Sequence, residues 1–272
     1  MHQVESTDRD DLVCELEGNL WETWSIFGRG PGCSLYESDD LLWFETPIPI
    51  VPYNGVLRSH LQTNADRKID SVIEHFAKRQ AQFMWIIHPS SSPPDLRARL
   101  QRRGLIDVEP ISGMVRSLHD LPKLPPLPDD IEIRKVADER DASAFYQFAA
   151  WRWHVPDEYR EQYSAIAQEF RIGQSGSKAH MWQAWRAGQP VAKAGLHLGA
   201  RSVGIYGVVT RPEARRLGLA RTLSLIVLHQ ARSLGHRLAV LHSSPMAESL
   251  YRSLGFEPVA EFRLFASKEV HV

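Results

Sequence analysis

Apolar positions change period in an orderly way along the second half of the chain. IEIRKV, residues 131–136, alternates apolar and polar side chains and predicts a strand. Asp138 then stands where a helix N-cap belongs, ahead of Ala142, Phe145, Tyr146 and Ala149 at helical spacing, and a second helix is expected to begin near Pro156 and Asp157. Three strand-like runs follow, HMWQAWRA, VAKAGLHL and SVGIYGVV, separated by the turn clusters Gly188-Gln189-Pro190 and Gly199-Ala200-Arg201, which predicts a meander. Beyond the loop TRPEARRLG, residues 219–234 read as a helix whose buried face carries Leu219, Leu223, Ile226, Val227, Ala231 and Leu234. A strand over 238–242 comes next. A short helix over 246–254 is delimited by Ser244 as N-cap, Pro245 at its first position and Gly255 after its end, and a last strand covers 257–265. The pattern predicts an α+β fold with a mixed sheet flanked by helices.

The first half holds a fainter copy of this ending. Setting Gly104 on Gly255 places FMWIIHPSSSPPDLRARLQRRGLIDVE beside LAVLHSSPMAESLYRSLGFEPVA, each a strand ending in His, a Ser/Pro turn, a short helix, Gly with an apolar residue, and another strand. A helical segment over 69–79 takes the place of the helix over 219–234. Between the halves lies the proline-dense LPKLPPLPDD, residues 121–130, which suits an extended connector and neither a helix nor a central strand. The expected organisation is a domain over 1–120, a linker over 121–130 and a second domain over 131–272.

Composition adds exclusions. With 272 residues, 43% hydrophobic and 24% charged, and a formal net charge of -1, the chain suits a globular protein with no bulk attraction to nucleic acid or membrane. Residues 1–128 carry 13 Lys+Arg and 18 Asp+Glu, against 19 and 15 in residues 129–272, so an anionic ligand is better placed in the second half. Cys14 and Cys33 form neither a C-x-x-C nor a His-rich cluster, so no disulfide framework and no metal site are expected. The N-terminal MHQVESTDRDD has no basic-then-apolar leader, and no apolar run reaches the ~20 residues needed to span a bilayer. A cytoplasmic location is expected.

Chemistry concentrates in GVVTRPEARRLGLARTL. Arg215, Arg216, Leu217, Gly218, Leu219 and Ala220 lie between a strand and a helix N-terminus, where free N–H groups and the dipole favour an anion. Gly218 removes a Cβ, Ala220 permits close approach, and Arg215, Arg216 and Arg221 bring positive charge, a set suited to a diphosphate. Together with V-V-T-x-P before it and A-x-x-x-Y-x-x-x-G-F after it (Ala247, Tyr251, Gly255, Phe256), this loop resembles that of the GNAT superfamily of acyl-CoA-dependent N-acyltransferases over residues 131–266.

The resemblance implies a tandem GNAT-like protein with a degenerate first lobe and acetyl-CoA as co-substrate, without a metal. It implies that Arg215 to Ala220 hold the CoA diphosphate and that Val208, Val209 and Thr210 meet the pantetheine and the acyl carbonyl. Tyr251 matches the family's frequent proton donor, although it also lies on an apolar helix face with Ala247, Leu250 and Leu254. Ser244 departs from the family, which often has Asn there as a cofactor hydrogen-bond partner. His242, His197, Tyr206 and Glu213 are candidates for the general base. Trp151, Trp153 and His154, with Arg152, fall where the family shapes its acceptor pocket, and their rings suit an apolar or cationic acceptor. The implied activity is acetyl transfer from acetyl-CoA to a primary amine, small-molecule or peptide, by direct attack in a ternary complex. A longer-chain acyltransferase and a non-catalytic acyl-CoA sensor are the alternatives. No nucleic-acid or membrane partner is expected, and a homodimer is left open.

Overall fold

The computed structural model describes residues 8–267. Residues 1–7, where the leader reading chiefly falls, and residues 268–272, at the end of the expected second domain, lie outside the described residues. In the first half α1 (Arg9–Trp24) is followed by β1 (Ser34–Glu37), β2 (Leu41–Glu45), β3 (Gly55–Ser59), α2 (Ala65–Lys78), β4 (Met84–Ile87), α3 (Leu96–Arg102) and β5 (Ile106–Ser117). In the second half come β6 (Ile131–Lys135), α4 (Glu139–Arg152), α5 (Arg160–Ala167), β7 (Ala179–Arg186), β8 (Gln189–Leu198) and β9 (Val203–Thr210). The chain then runs through α6 (Leu219–Ser233), β10 (Leu238–Ser243), α7 (Pro245–Ser253) and β11 (Glu257–Ala266). α2 starts four residues before the predicted helix because Asn64, at φ +52°, turns the chain into it.

The halves share one mixed sheet, ordered β1-β2-β3-β4-β11-β5-β10-β9-β8-β7-β6. Their last strands are exchanged: β11 of the second half runs antiparallel between β4 and β5 of the first, and β5 runs antiparallel to β10. Each of these strands therefore finds both backbone partners only when the two halves are together. The order of elements β3-α2-β4-α3-β5 repeats as β9-α6-β10-α7-β11, with β3/β4 and β9/β10 as the parallel pairs. The connector over 121–130 has no helix or strand, and its Leu121 and Leu127 pack on the core beneath α6.

Helices cover both faces. Leu16 and Leu20 of α1 pack on Val115, Val240 and Phe262 at the centre of one face, and α4 and α5 continue it over Ala179 and Met181. On the other face α6 and α7 pack on Met114, Ala239 and Leu241, and α2 and α3 on Val56, Trp85 and Phe265. Alternating residues of β4, β5 and β10 thus serve opposite cores, as the two-residue period of a strand requires.

Candidate active site

β9 is the strand on which the site is built. It pairs with β8 from Val203 to Thr210, but with β10 only through Ala239↔Val203 and Val240↔Gly204. Past that point the two parallel strands separate, so the β10-facing backbone groups of the second half of β9 have no ladder partner there. The β8–β9 register also slips between Lys193 and Gly195, where Gly207 at φ +61° forms a bulge. Val208, Val209 and Thr210 follow this bulge, all half-buried, with the Thr210 hydroxyl shielded and unpartnered. A cleft open to strand-like pairing with an extended ligand results.

The chain leaves β9 through a 3-10 turn (Pro212–Ala214) and enters α6 by way of Arg216 at φ +65° and Gly218 at φ +74°. Gly218 holds the N-cap position without a side chain, and no acidic residue occupies the first turn. The first N–H of α6 with a backbone acceptor is that of Thr222, which bonds Gly218 O at 3.0 Å, so those of Leu219, Ala220 and Arg221 are left for an outside acceptor. Arg215 and Arg216 are exposed beside this end, while Arg221 donates to Ser253 Oγ at 2.8 Å on α7. Leu217 is half-buried against the core and anchors the loop. Glu213 is exposed on the turn.

Tyr251 lies on α7. Its ring is buried with Leu254 and meets Phe256 edge-on at 5.9 Å. Burial pushes the phenol up to about 12, so it remains a proton carrier at neutral pH. Ser244 sits at the N-cap of α7 but makes no capping hydrogen bond through its side chain, which leaves the hydroxyl available.

The histidines are shielded. Both ring nitrogens of His242, on β10, are buried without a partner, and the ring stands edge-on to Phe262 at 4.6 Å. Those of His197, on β8, are likewise buried and unpartnered. Desolvation pushes His242 down to about 3 and His197 to about 4, which makes both poor bases near neutrality. Tyr206 donates from its hydroxyl to Asn19 Oδ1 at 2.9 Å, a contact that brings α1 of the first half onto β9. Its pKa is raised, chiefly by burial.

These histidines set a pH dependence of stability. An unfolded histidine takes its proton near pH 6.5, whereas the folded chain resists until about 4 for His197 and about 3 for His242. In that window the unfolded state binds more protons, so stability falls as pH drops. The urea midpoint is expected to be lower at pH 4.5 than at pH 7, with a smaller difference in a His242→Asn variant; equal midpoints for the parent chain would contradict this.

The aromatic cluster at the end of α4 differs from its sequence reading in one respect. Its ring faces already carry the protein's own cations: the Arg211 guanidinium lies 4.2 Å from the Trp151 centroid and 5.1 Å from that of Phe148, and Arg152 lies 5.0 Å from Trp153. His154, exposed at φ +50°, closes the helix through its N–H to Trp151 O at 3.2 Å. Beneath the cluster is a residue the sequence pattern hid. Lys193 on β8 is 4% exposed, with Nζ 4.6 Å from the Phe145 centroid, and is pushed down to about 7 by burial and then by Arg152.

The first half does not reproduce the α6 entry. α2 follows Thr63 and Asn64, and Asp66 occupies its first turn, ion-paired with Arg99 and, at 2.8 Å, with Arg103. The α1 side of β4 is filled as well: Glu17 accepts from Ser90 Oγ at 2.6 Å and lies 3.1 Å from His88 Nδ1.

Residues 141–266 match the sequence model of a family described as acetyltransferase (GNAT) domain. No sequence among curated proteins matches the chain. Among solved structures it is similar to a GCN5-related N-acetyltransferase from Kribbella flavida, at 18% identity and TM-score 0.67, over 94% of this chain and 98% of that one. A tandem GNAT protein from the clavulanic acid biosynthesis pathway is similar at 15% identity and TM-score 0.61, covering 96% of this chain and 97% of that one. A GCN5-related N-acetyltransferase from Sphaerobacter thermophilus gives 17% identity and TM-score 0.62, over 96% and 93%. The fold is shared along nearly the whole of each chain.

Proposed function

We propose that this chain, whose residues 141–266 match the acetyltransferase (GNAT) domain model and which shares the fold of GCN5-related N-acetyltransferases, transfers an acetyl group from acetyl-CoA to a primary amine by direct attack in a ternary complex. The observation that carries this reading is the free N-terminus of α6 beside the parting of β9 from β10. Acetyl-CoA supplies an activated thioester carbonyl. The N–H groups of Leu219, Ala220 and Arg221, with Arg215 and Arg216, bind the diphosphate, and the unpaired edge over Val208, Val209 and Thr210 aligns the pantetheine amides and receives the charge that develops on the carbonyl oxygen. The amine adds to the carbonyl carbon, and as the oxyanion collapses the C–S bond breaks and Tyr251 gives its proton to the departing sulfur. The amine proton leaves to water, from which Tyr251 takes a proton back. Ser244, whose side chain makes no capping hydrogen bond, donates one to the co-substrate in this reading. The acceptor enters from the α4 and α5 face, past Trp151, Trp153 and His154.

A screen of primary amines that follows release of the CoA thiol tests this. Acceptor-dependent release is expected. Tight acetyl-CoA binding with no release by any amine would favour a sensor, and release only from longer acyl-CoAs would correct the acyl chain.

One equivalent of acetyl-CoA per chain is expected by calorimetry. Asp66 fills the first turn of α2 and is tied to Arg99 and Arg103, so a second diphosphate there would have to break these pairs and face the carboxylate. Two equivalents of similar affinity would show the first half to be a working site.

A further inference from the structure

Lys193 and Gln183 are directly opposite in the β7–β8 register and so share one face, the one under α4. Both are deeply buried, at 4% and 2% exposure. Both offer donors without an acceptor: Gln183 Nε2 is shielded and unpartnered, and Lys193 makes no salt bridge among the described residues. Arg152, at the end of α4, is a second cation near enough to act on Lys193, and no carboxylate contributes to the surroundings of that amine. A buried amine and a buried amide donor with no acidic partner among the described residues present donors that suit an anionic group.

Its position fixes what that anion belongs to. A Cβ at Gly207 would lie 3.1 Å from Lys193 Nζ, so the lysine amine abuts the bulge immediately before Val208, and Gly207 itself is exposed. The stretch assigned above to the thioester therefore begins one residue from the bulge that Lys193 abuts. An anion held there, with an amine on the carbon next to it, would place the nitrogen beside the acyl carbon. Phe145 forms an apolar wall against the lysine.

We propose that Lys193, Gln183 and Arg152 bind the carboxylate of the acceptor, and that the acceptor is an α-amino acid or a close relative carrying its carboxylate next to the reacting amine. This rests on the acyl-transfer reading above and adds the acceptor class to it. Lys193 and Gln183 are specificity residues in this assignment, the lysine by its charge and the glutamine by its amide donor.

The test uses the full chain, acetyl-CoA, the twenty common α-amino acids and their C-terminal carboxamides, with thiol release as readout and acetyl-CoA affinity measured separately by calorimetry. At least one amino acid is expected to exceed its carboxamide in kcat/KM by about 10- to 100-fold, the range for a buried hydrogen bond to a charge. In Lys193→Met that preference should collapse through KM for the acid, with the acetyl-CoA affinity unchanged. Gln183→Met should weaken the preference in the same sense and gives a second reading should Lys193→Met not fold. Equal turnover of acid and carboxamide by the parent chain would overturn the proposal, as would release with neither by protein that binds acetyl-CoA. So would a Lys193→Met loss in kcat common to both that removes a pH limb near 7, which would make the lysine the general base. Failure to bind acetyl-CoA at all would instead overturn the acyl-transfer reading.

Discussion

Replacing Gly218 with Asp is expected to lower acetyl-CoA affinity by about 100-fold or more in a chain that still folds. The fold should survive because a Cβ at Gly218 meets nothing within 4 Å. The cost is conformational: φ is +74°, and a side chain in the left-handed region costs about 1 kcal/mol, least for Asp and Asn. An Asp at the N-cap of α6 also returns part of that cost by accepting from the free N–H groups. For the ligand the same capping is harmful, since the carboxylate takes the donors the diphosphate requires and faces it with like charge. At 4 Å and an effective dielectric near 20, two unit charges of one sign cost about 4 kcal/mol, ample for the expected loss. Gly218→Asn keeps the shape without the charge and should fall between the parent and Asp. Calorimetry with a thermal melt on each variant checks both halves of the expectation, and unchanged affinity in folded Gly218→Asp would remove the diphosphate from this loop.

Tyr251→Phe is expected to lower turnover by about 100-fold while leaving acetyl-CoA affinity and stability near the parent values. The substitution removes one oxygen and keeps the ring that packs with Leu254 and meets Phe256, so the core under α7 stays filled. What disappears is a donor held protonated by burial, at about 12, which the proposed reaction assigns to the departing sulfur. A purely packing role would leave kcat unmoved. Steady-state kinetics on an acceptor found in the screen, with affinity measured alongside, separates the two; parental turnover would pass the proton to water.

The sequence made the second half legible because its signals are local. Asp138 caps α4 by accepting from Asp141 N–H at 2.9 Å, and Gly218, Gly235 and Gly255 take the positive φ that ends or begins a helix. The exchange of β5 and β11 left no such mark. Both read as strands, but which strand lies beside another across more than a hundred residues depends on surfaces that come together only in the fold. Lys193 was hidden for a related reason. In VAKAGLHL the apolar Ala192, Ala194 and Leu196 alternate with Lys193, Gly195 and His197, the pattern of a strand with one wet face, yet α4 and α1 cover that second face. The aromatic cluster at Trp151 and Trp153 was visible, whereas Arg211, a distant residue, occupies a ring face only by tertiary contact.

A crystal structure of the full chain with acetyl-CoA decides where the co-substrate sits. One bound molecule is expected, its diphosphate within hydrogen-bonding distance of the N–H groups of Leu219, Ala220 and Arg221, and its thioester carbonyl on the β9 edge between Val208 and Thr210. Acetyl-CoA seated elsewhere, for example over α2 in the first half, with the α6 entry empty, would contradict it.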